Sequence, residues 1–240
     1  MTRDISPDIG LIRLCLTEAH DCSYLPDRQS TTAFVDPEMA IDVALYSRMT
    51  KLGFRRSGAF LYAPKCSGCN ACIPARLPVD DFKPTRGQKR CWKKNQDIMV
   101  EQLDDINIGE HFPIYARYIE QRHSDGDMYP PSRRQFEDFL GNAWECTQFL
   151  EFRLGDQLIG CAVIDIIENG LSAIYTYFDP DFSDRGLGVL AILVEIDIAR
   201  RLGLEHLYLG YWISGCDKMK YKTNYRPLEL YRQNSWRIAE

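Results

Sequence analysis

The spacing of apolar residues predicts helices in several parts of this chain. Residues 42–52 place leucine and methionine at helical intervals, with Asp42 at the position of an N-cap and Gly53 where a left-handed C-terminal cap belongs. Similar patterns predict further helices at residues 86–95, 110–121 and 132–140. Between these helices, the first half of the chain contains short strand-like runs and turns.

A pattern typical of strands begins at residue 148. Turn sequences that suit antiparallel connections separate predicted strands at residues 148–154, 157–167 and 171–178. A glycine-containing turn at residues 183–188 follows, then a helix with one apolar face that ends at Gly203, and then a strand at residues 205–210. This order of elements is found at the centre of acetyltransferase-like (GNAT) domains. We therefore expect an α+β fold with a GNAT-like mixed sheet flanked by helices.

The chain is expected to have two parts that join near residue 78. Pro74 and Pro78 bracket an extended stretch that reads as the exit from a small module. Residues 1–78 are therefore predicted to form an N-terminal α+β module that contains a cysteine cluster. Residues 79–240 are predicted to form the GNAT-like domain.

The composition limits the classes of function. With 240 residues and 45% hydrophobic content, the chain can bury a full core. A net charge of −5 argues against a surface coated all over by nucleic acid, so nucleic-acid contacts must come from clustered basic residues. Residues 1–8 are too polar for a secretory signal, and no apolar run approaches the ~20 residues that span a membrane. These features predict a cytoplasmic protein with no membrane partner.

Three of the nine cysteines, Cys66, Cys69 and Cys72, stand at two-residue intervals. In a reducing compartment, cysteines are expected to be free thiols or metal ligands rather than disulfides. With Cys22 as a fourth ligand, the cluster could hold zinc or an iron–sulfur cluster. As free thiols, the same residues would be structural or sensitive to oxidation. Both interpretations stay open at this point.

A basic segment is the first candidate for binding nucleic acid. Between residues 83 and 96 there are six Lys or Arg and no acid, and five of the six lie on the helix predicted at residues 86–95, among them Lys89, Arg90, Lys93 and Lys94. Such a segment could bind phosphates, or it could be a solvated helix face.

A second candidate lies near the C-terminus. Lys218, Lys220 and Lys222 alternate with other residues, so an extended segment would turn all three lysines toward a polyanion. Trp212 or Tyr221 could stack on an unpaired base of a nucleic acid. The alternative is a charged edge that blocks unwanted strand pairing.

Several longer segments carry a resemblance to a known family. They are residues 22–28 (Cys-Ser-Tyr-Leu-Pro-Asp-Arg), 53–58 (Gly-Phe-Arg-Arg-Ser-Gly), 66–76, 175–180, 209–213 (Leu-Gly-Tyr-Trp-Ile) and 218–222 (Lys-Met-Lys-Tyr-Lys). With these segments the chain resembles the bacterial aminoacyl-tRNA–protein transferases, and most closely their aspartate/glutamate leucyltransferase branch, over nearly its whole length. Related eukaryotic enzymes transfer arginine instead.

The resemblance implies an aminoacyltransferase of the N-degron (N-end rule) pathway of protein degradation. Such an enzyme moves leucine from leucyl-tRNA to the N-terminal α-amine of proteins that begin with Asp or Glu. Residues 1–78 would then recognise the acceptor protein, and residues 79–240 would bind the aminoacyl-tRNA. Arginine stays open as the donated residue. Because the aminoacyl ester is already activated, the reaction requires no cofactor.

Catalytic candidates lie on the predicted strand at residues 171–178. Two-residue alternation puts Tyr175 and Tyr177 on one face, with Asp179 just beyond the strand end. Two phenols and a carboxylate could relay protons from the attacking amine to the departing ribose oxygen. Alternatively, the tyrosines pack in the core and Asp179 opens a turn.

The acceptor's acidic side chain would need a guanidinium or ammonium partner. The candidates in the N-terminal module are Arg28, Arg55, Arg56 and Arg76. The family resemblance favours Arg76, which lies beside the cysteine cluster, with Tyr24 nearby.

Two other classes of protein fit parts of the pattern. An acetyltransferase would bind the pyrophosphate of acetyl-coenzyme A at the turn of residues 184–188, although Ser183 stands where that pattern usually has Arg or Gln. A non-catalytic RNA-binding or redox-sensing module would use the basic segments and the cysteines without turnover.

Overall fold

The computed structural model of the chain describes residues 12–141 and 144–239. Residues 1–8, on which the expectation of a missing secretory signal rests, lie outside this range. The α-helices of the described chain are α1 (Val43–Lys51), α2 (Arg86–Lys94), α3 (Ile108–Arg122), α4 (Arg133–Phe136) and α5 (Leu187–Arg201). A π-helical turn, Glu137–Gly141, continues α4, and two 3₁₀ segments cover Pro180–Arg185 and Asp217–Asn224.

The helices begin where the sequence provides caps. The Asp42 carboxylate accepts a hydrogen bond from the Leu45 N–H at 2.7 Å, as expected for an N-cap. At α2, Thr85 and Gln88 form a reciprocal capping box, in which each side chain accepts from the other residue's backbone N–H. All of the helices predicted from apolar spacing are confirmed, each within two residues at its start.

The larger sheet is mixed and contains eight strands in the described part of the chain. They are β7 (Ile73–Pro78), β8 (Ile98–Leu103), β9 (Thr147–Leu154), β10 (Gln157–Ile167), β11 (Gly170–Phe178), β12 (His206–Trp212), β13 (Glu229–Arg232) and β14 (Ser235–Ile238). Their order across the sheet is β14-β13-β7-β12-β11-β10-β9-β8. Neighbours run antiparallel except β11 and β12, which are parallel. The predicted antiparallel meander of β9, β10 and β11 is confirmed.

A smaller sheet comes from the first 64 residues. It contains β1 (Leu14–Leu16), β4 (Thr32–Val35), β5 (Arg55–Ser57) and β6 (Phe60–Pro64), and beside it lies a short ribbon of β2 (His20–Asp21) and β3 (Gln29–Ser30). This sheet and α1 pack on the larger sheet through a cluster that includes Tyr46, Ile167 and Tyr208. The N-terminal region is therefore α+β, as predicted.

The two faces of the larger sheet are covered by different elements. Apolar residues of α5, such as Ala191 and Ile196, pack on one face together with Leu77 of β7. On the other face, Tyr115 and Ile119 of α3 pack with α4 and with residues of β9, β10 and β11. This mixed sheet flanked by helices confirms the predicted α+β class. The boundary near residue 78 stays a prediction, and the six residues before it form a strand inside the larger sheet.

The parallel strands β11 and β12 separate after a short region of pairing. They pair only from Gly170 to Ser172 and from His206 to Tyr208, although both strands continue beyond these residues. Strands that diverge leave backbone carbonyl groups without their ladder partners, and buried carbonyls need other donors. The side chains that enter this gap are part of the candidate site.

Within residues 12–141 and 144–239, no helix has the length and apolar character that crossing a membrane requires.

Candidate functional site

A cavity of about 650 Å³ opens where the N-terminal region meets the larger sheet. Its walls come from residues 20–32, residues 62–73, Tyr211 at the end of β12, and residues 231–234 at the β13–β14 turn. Among the described residues that line it, the arginines are Arg28 and Arg232, the histidine is His20, and there is no Asp or Glu. The cavity therefore has a positive wall and suits an anionic group.

The predicted cysteine cluster forms part of this cavity. Cys22, Cys66, Cys69 and Cys72 all line it. Burial raises the pKa of Cys72 to about 11, and the neighbouring thiols add to the shift. In the part of the chain that the structure describes, no three His, Cys, Asp or Glu residues are placed to hold a metal ion. A zinc or iron–sulfur site stays an untested prediction.

Two of the predicted acceptor-binding residues lie in this cavity. Tyr24 and Arg28 both line it, and burial raises the pKa of the Tyr24 phenol. Arg28 is exposed, and its guanidinium forms no ion pair with a carboxylate of the described residues. Its charge is therefore available to a ligand.

The other favoured arginine, Arg76, is placed differently. Its Nε lies 2.6 Å from Glu229 Oε2, and its guanidinium carbon lies 4.4 Å from the centre of the Trp236 ring. It is not among the residues that line the cavity. Alternation along β7 directs this side chain toward Glu229 and Trp236, and the expectation that Arg76 is the acceptor's guanidinium stays an untested prediction.

Arg55 occupies the gap between the diverging strands. Its guanidinium donates to Ser172 Oγ at 2.9 Å, to the Ala173 carbonyl of β11, and to the Tyr208 carbonyl of β12 at 3.4 Å. These bonds replace the ladder hydrogen bonds that end at this point. Arg55 is buried and bridges two strands, which gives it a structural role next to the cavity rather than a place in its wall.

Lys222 lies beside Arg55. Its Nζ donates to the Tyr211 carbonyl and lies 3.3 Å from Met219 Sδ. Gly210 has a φ of +80°, and a Cβ there would be 3.5 Å from Arg55 Nε and 3.6 Å from Lys222 Nζ. Both cations therefore lie against the same backbone position, directly behind the Tyr211 side of the cavity wall. Burial, followed by repulsion from Arg55, lowers the pKa of Lys222 to about 7.

The predicted row of three exposed lysines is wrong. The segment Asp217–Asn224 is a 3₁₀ helix rather than an extended strand, so Lys218, Lys220 and Lys222 do not face one way. Lys218 Nζ pairs with Asp125 at 2.8 Å, and Lys220 pairs with Asp217. Lys222 is buried and cannot contact RNA without a rearrangement.

A buried carboxylate that sequence reasoning missed faces the same region. Glu195 of α5 is buried, and its Oε2 has no hydrogen-bond partner in the structure. Burial raises the pKa of Glu195 to about 8, and the charge of Arg55 offsets only part of this effect. The available signal was the position of Glu195 in the middle of the apolar α5 sequence, where Asp197 is the other acid.

The catalytic candidates on β11 lie against α3 and α4. Tyr175 and Tyr177 share a face, as predicted, and both rings contact Tyr115. Tyr177 is completely buried, and its hydroxyl lies 2.7 Å from His111 Nδ1. The expectation that Tyr177 lines a cleft is therefore corrected, because the ring is part of the core. Burial also raises the pKa of this phenol.

Asp179 follows the strand, as predicted, and opens a turn. Its carboxylate accepts from the Asp181 N–H at 3.0 Å and forms an ion pair with Arg117 at 3.0 Å. These contacts fit the alternative in which Asp179 begins the 3₁₀ segment.

The basic residues of α2 remain largely accessible. Lys89, Arg90 and Lys93 are exposed, while Lys94 Nζ pairs with Asp184 at 2.9 Å. The aromatic candidates also differ in exposure: Tyr221 is 45% exposed, whereas Trp212 is half-buried against the main core.

The C-terminal end of α2 packs on the turn before α5. Asn95 Nδ2 donates to the Arg185 carbonyl at 2.9 Å, and Lys94 Nζ donates to the Asp184 carbonyl at 2.8 Å. Cys91 Sγ lies 3.5 Å from the Gly186 carbonyl. The turn in which an acetyltransferase would bind a pyrophosphate is thus held by side chains of α2.

Family models match both parts of the chain. The model for "Arginine-tRNA-protein transferase, N terminus" matches residues 20–90, and the one for the C terminus matches residues 110–232. An aspartate/glutamate leucyltransferase of Saccharophagus degradans is 50% identical over 230 residues, which are 95% of this chain and 98% of the relative. One of Pseudomonas fluorescens (strain Pf0-1) is 51% identical over 229 residues, or 95% and 97% of the two chains. The chain belongs to the aspartate/glutamate leucyltransferase family.

In this member of the aspartate/glutamate leucyltransferase family, the two matched regions meet at the cavity. Residues 20–32 and 62–73 belong to the first match, and Tyr211 and Arg232 belong to the second. Among solved structures, L-PGS from Bacillus licheniformis matches with a TM-score of 0.48 at 12% sequence identity. The match covers 72% of this chain and 50% of the L-PGS chain.

Proposed function

We propose that the chain transfers leucine from leucyl-tRNA to the N-terminal α-amine of proteins that begin with Asp or Glu, and so marks them for N-degron degradation. The observation that carries this proposal is the similarity to aspartate/glutamate leucyltransferases at about half identity over 95% of the chain. The cavity gives the proposal a physical basis, because its cationic wall suits an acidic acceptor.

The described cavity wall contains no carboxylates, and this favours the unprotonated, nucleophilic form of the acceptor's α-amine. An α-amine has an ordinary pKa of about 7.7–8.0, so roughly a tenth to a fifth of it is unprotonated at pH 7. Positive charge nearby lowers the pKa of an amine, and no Asp or Glu of the described lining stabilises its protonated form. A bound acceptor would therefore carry a larger fraction of free amine than the same peptide in water.

The donor side of the proposal rests on the basic face of α2. Lys89, Arg90 and Lys93 project into solvent and would contact tRNA phosphates. Tyr221, which is partly exposed next to the diverging strands, would stack on a base of the acceptor end. Trp212, Lys218 and Lys220 would extend this surface, and Lys218 and Lys220 would first exchange their carboxylate partners for phosphates.

The chemical step would use preorganised groups rather than a cofactor. Leucyl-tRNA carries an activated ester, so positioning of the amine and stabilisation of the oxyanion are the main requirements. Tyr175 and Asp179 stay candidates for the proton route, with Tyr177 as a buried support behind them. Lys222, which is buried behind the Tyr211 side of the cavity wall, would take part only after a rearrangement, and its pKa of about 7 would then suit acid–base work at neutral pH.

The fold is assigned to the GNAT-like class under the same proposal. Support comes from the order β9, β10, β11, α5, β12 and from the parallel pair β11–β12 that diverges at its carboxyl end. Residues 1–78 would supply most of the acceptor cavity and residues 79–240 the tRNA surface, in a cytoplasmic protein.

The choice of donor is the direct test. The matching family model is named for transfer from arginine-tRNA, whereas the similar full-length relatives are named leucyltransferases. The two aminoacyl donors must therefore be compared. Purified protein should be given tRNA pools charged with radiolabelled leucine or arginine and a peptide that begins with Asp. We expect label to reach the peptide from leucyl-tRNA only. Transfer of arginine at an equal or higher rate would overturn the assignment of the donor.

A further inference from the structure

The β13–β14 hairpin carries an arginine into the acceptor cavity from the far end of the chain. Arg232 is the last residue of β13 and pairs with Ser235, across a two-residue turn. Gln233 and Asn234 in that turn have φ values of 51° and 58°, the left-handed conformation that matches strand twist in tight hairpins. Pairing of β13 with β7 fixes the hairpin beside the segment that follows Cys72. The position of Arg232 is therefore set by the sheet.

The guanidinium of Arg232 is without an ion-pair partner in the described part of the chain. In residues 12–141 and 144–239 it forms no ion pair with a carboxylate, and its side chain is exposed to the cavity. Other arginines near this region are occupied, since Arg56 pairs with Asp165 and Arg76 pairs with Glu229. Arg28 also lines the cavity and likewise forms no ion pair with a carboxylate of the described residues.

We propose that Arg232 and Arg28 together bind the side-chain carboxylate of the acceptor's first residue, which makes Arg232 a specificity-determining residue. This inference rests on the proposed function. Two guanidinium groups provide enough donors for both oxygens of one carboxylate, and charge-assisted hydrogen bonds of this kind are the stronger ones. An amide at the same position would leave part of these donors without an acceptor.

The shape of the site favours a chain end over the side of a polyanion. A cavity of about 650 Å³ has the size of a small-ligand pocket and can enclose one or two residues of a peptide. Its wall also offers neutral amides, Asn70 and Gln233, which can bind the peptide backbone of the acceptor. An RNA end is the competing occupant, and the test includes it.

The experiment is a binding titration with two fluorescent peptides that are identical except for a first residue of Asp or Asn. We expect the wild type to bind the Asp peptide about 10- to 100-fold more tightly. Arg232→Gln should lose most of this ratio, and Arg232→Lys should recover part of it. Arg237→Gln is the matched control, because Arg237 lies exposed on the same hairpin outside the cavity and should leave the ratio unchanged.

A double-mutant cycle tests whether the two arginines act on one carboxylate. If they do, Arg28→Gln combined with Arg232→Gln should reduce the Asp-to-Asn ratio by less than the product of the two single reductions. An unchanged ratio in a folded Arg232→Gln variant would overturn the inference. The inference would also be overturned if the trinucleotide CCA displaced the Asp peptide and both arginine variants lost affinity for CCA to the same extent as for the peptide.

The titration also separates this inference from the proposed function, because it contains no tRNA. A wild-type protein that prefers the Asp peptide but transfers no leucine would defeat the proposed function and support the role of Arg232. A protein that transfers leucine to the Asp peptide in preference to the Asn peptide, but binds the two peptides equally, would defeat the role of Arg232 and keep the proposed function.

Discussion

Arg56 and Asp165 form an ion pair in which both side chains are completely buried, with Nε and Oδ2 2.6 Å apart. Arg56 belongs to β5 of the small sheet and Asp165 to β10 of the large sheet, so the pair joins the two. Tyr46 and Thr147 each donate a hydrogen bond of 2.7 Å to the same carboxylate. Together with the apolar cluster around Tyr46 and the bonds of Arg55, this contact attaches the N-terminal region, and with it one wall of the cavity, to the larger sheet.

Replacement of one partner should destabilise the whole chain. Arg56→Met leaves the Asp165 carboxylate buried without its counter-charge, and we expect a loss of about 3–5 kcal/mol in the free energy of unfolding. Denaturant titration followed by tryptophan fluorescence measures it. Arg48→Met, an exposed arginine of α1, is the control and should change stability by less than about 0.5 kcal/mol. A small effect of Arg56→Met would mean that the pair does not hold the regions together.

A fragment of residues 79–240 should not fold alone. Removal of residues 1–78 deletes β7, which lies between β12 and β13, and takes Ala75 and Leu77 out of the main core. The fragment would also expose two unpaired strand edges. We expect no cooperative thermal transition by near-ultraviolet circular dichroism, and recovery of one when both fragments are expressed together. Cooperative unfolding of the fragment by itself would support an autonomous domain beginning at residue 79.

The buried carboxyl of Glu195 should give stability a specific pH dependence. Its pKa is raised from about 4.5 to about 8, so between these pH values the unfolded chain loses the proton while the folded chain keeps it. This group's contribution is complete below pH 4.5 and is lost as the pH rises through 8. Relative to wild type, Glu195→Gln should therefore gain on the order of 3–5 kcal/mol between pH 5 and pH 8.5.

Urea unfolding at several pH values measures this difference. Arg55 acts on Glu195, and Glu195 in turn acts on Tyr221 and Tyr225; these three neighbours are the same in both proteins. Glu120→Gln, at an exposed position of α3, should show no such pH-dependent gain. A pH-independent difference for Glu195→Gln would show that this carboxyl is not protonated in the folded state.

The basic face of α2 should determine part of the salt dependence of tRNA binding. If Lys89, Arg90 and Lys93 each contact one phosphate, their combined replacement by Gln should flatten the slope of log K against log salt by about 2–3. Filter binding at several salt concentrations measures the slope. Replacement of Arg133 and Arg134, which pair with carboxylates of the π-helical turn that follows α4, is the control. An unchanged slope in the α2 variant would remove this helix from the RNA surface.

The sequence was sufficient for elements whose signals are local. The helix after Asp42, the meander of β9 to β11 and the apolar helix α5 appear where caps, turn residues and periodicity predict them. The cysteines were also predicted to belong together, and Cys22 does lie with Cys66, Cys69 and Cys72 in one wall. In each case the determining residues are close in sequence or strongly patterned.

Contacts that depend on the pairing of strands far apart in the sequence could not be predicted from these local signals. The alternation of Lys218, Lys220 and Lys222 suggests a strand, but the chain turns into a 3₁₀ helix after β12 and buries the last lysine. Arg76 seemed suited to the acceptor because it follows the cysteines, yet pairing of β7 with β13 places it against Glu229. The same pairing brings Arg232 to the cavity from 156 positions beyond Arg76 in the chain.

The most direct measurement for the central claim is single-turnover transfer of labelled leucine from leucyl-tRNA to peptides that begin with Asp, Glu, Asn or Ala. The arginines of the cavity and the lack of acids in its described wall predict efficient transfer to the Asp and Glu peptides and at least about 10-fold slower transfer to the Asn and Ala peptides. Equal rates for all four peptides would contradict the account.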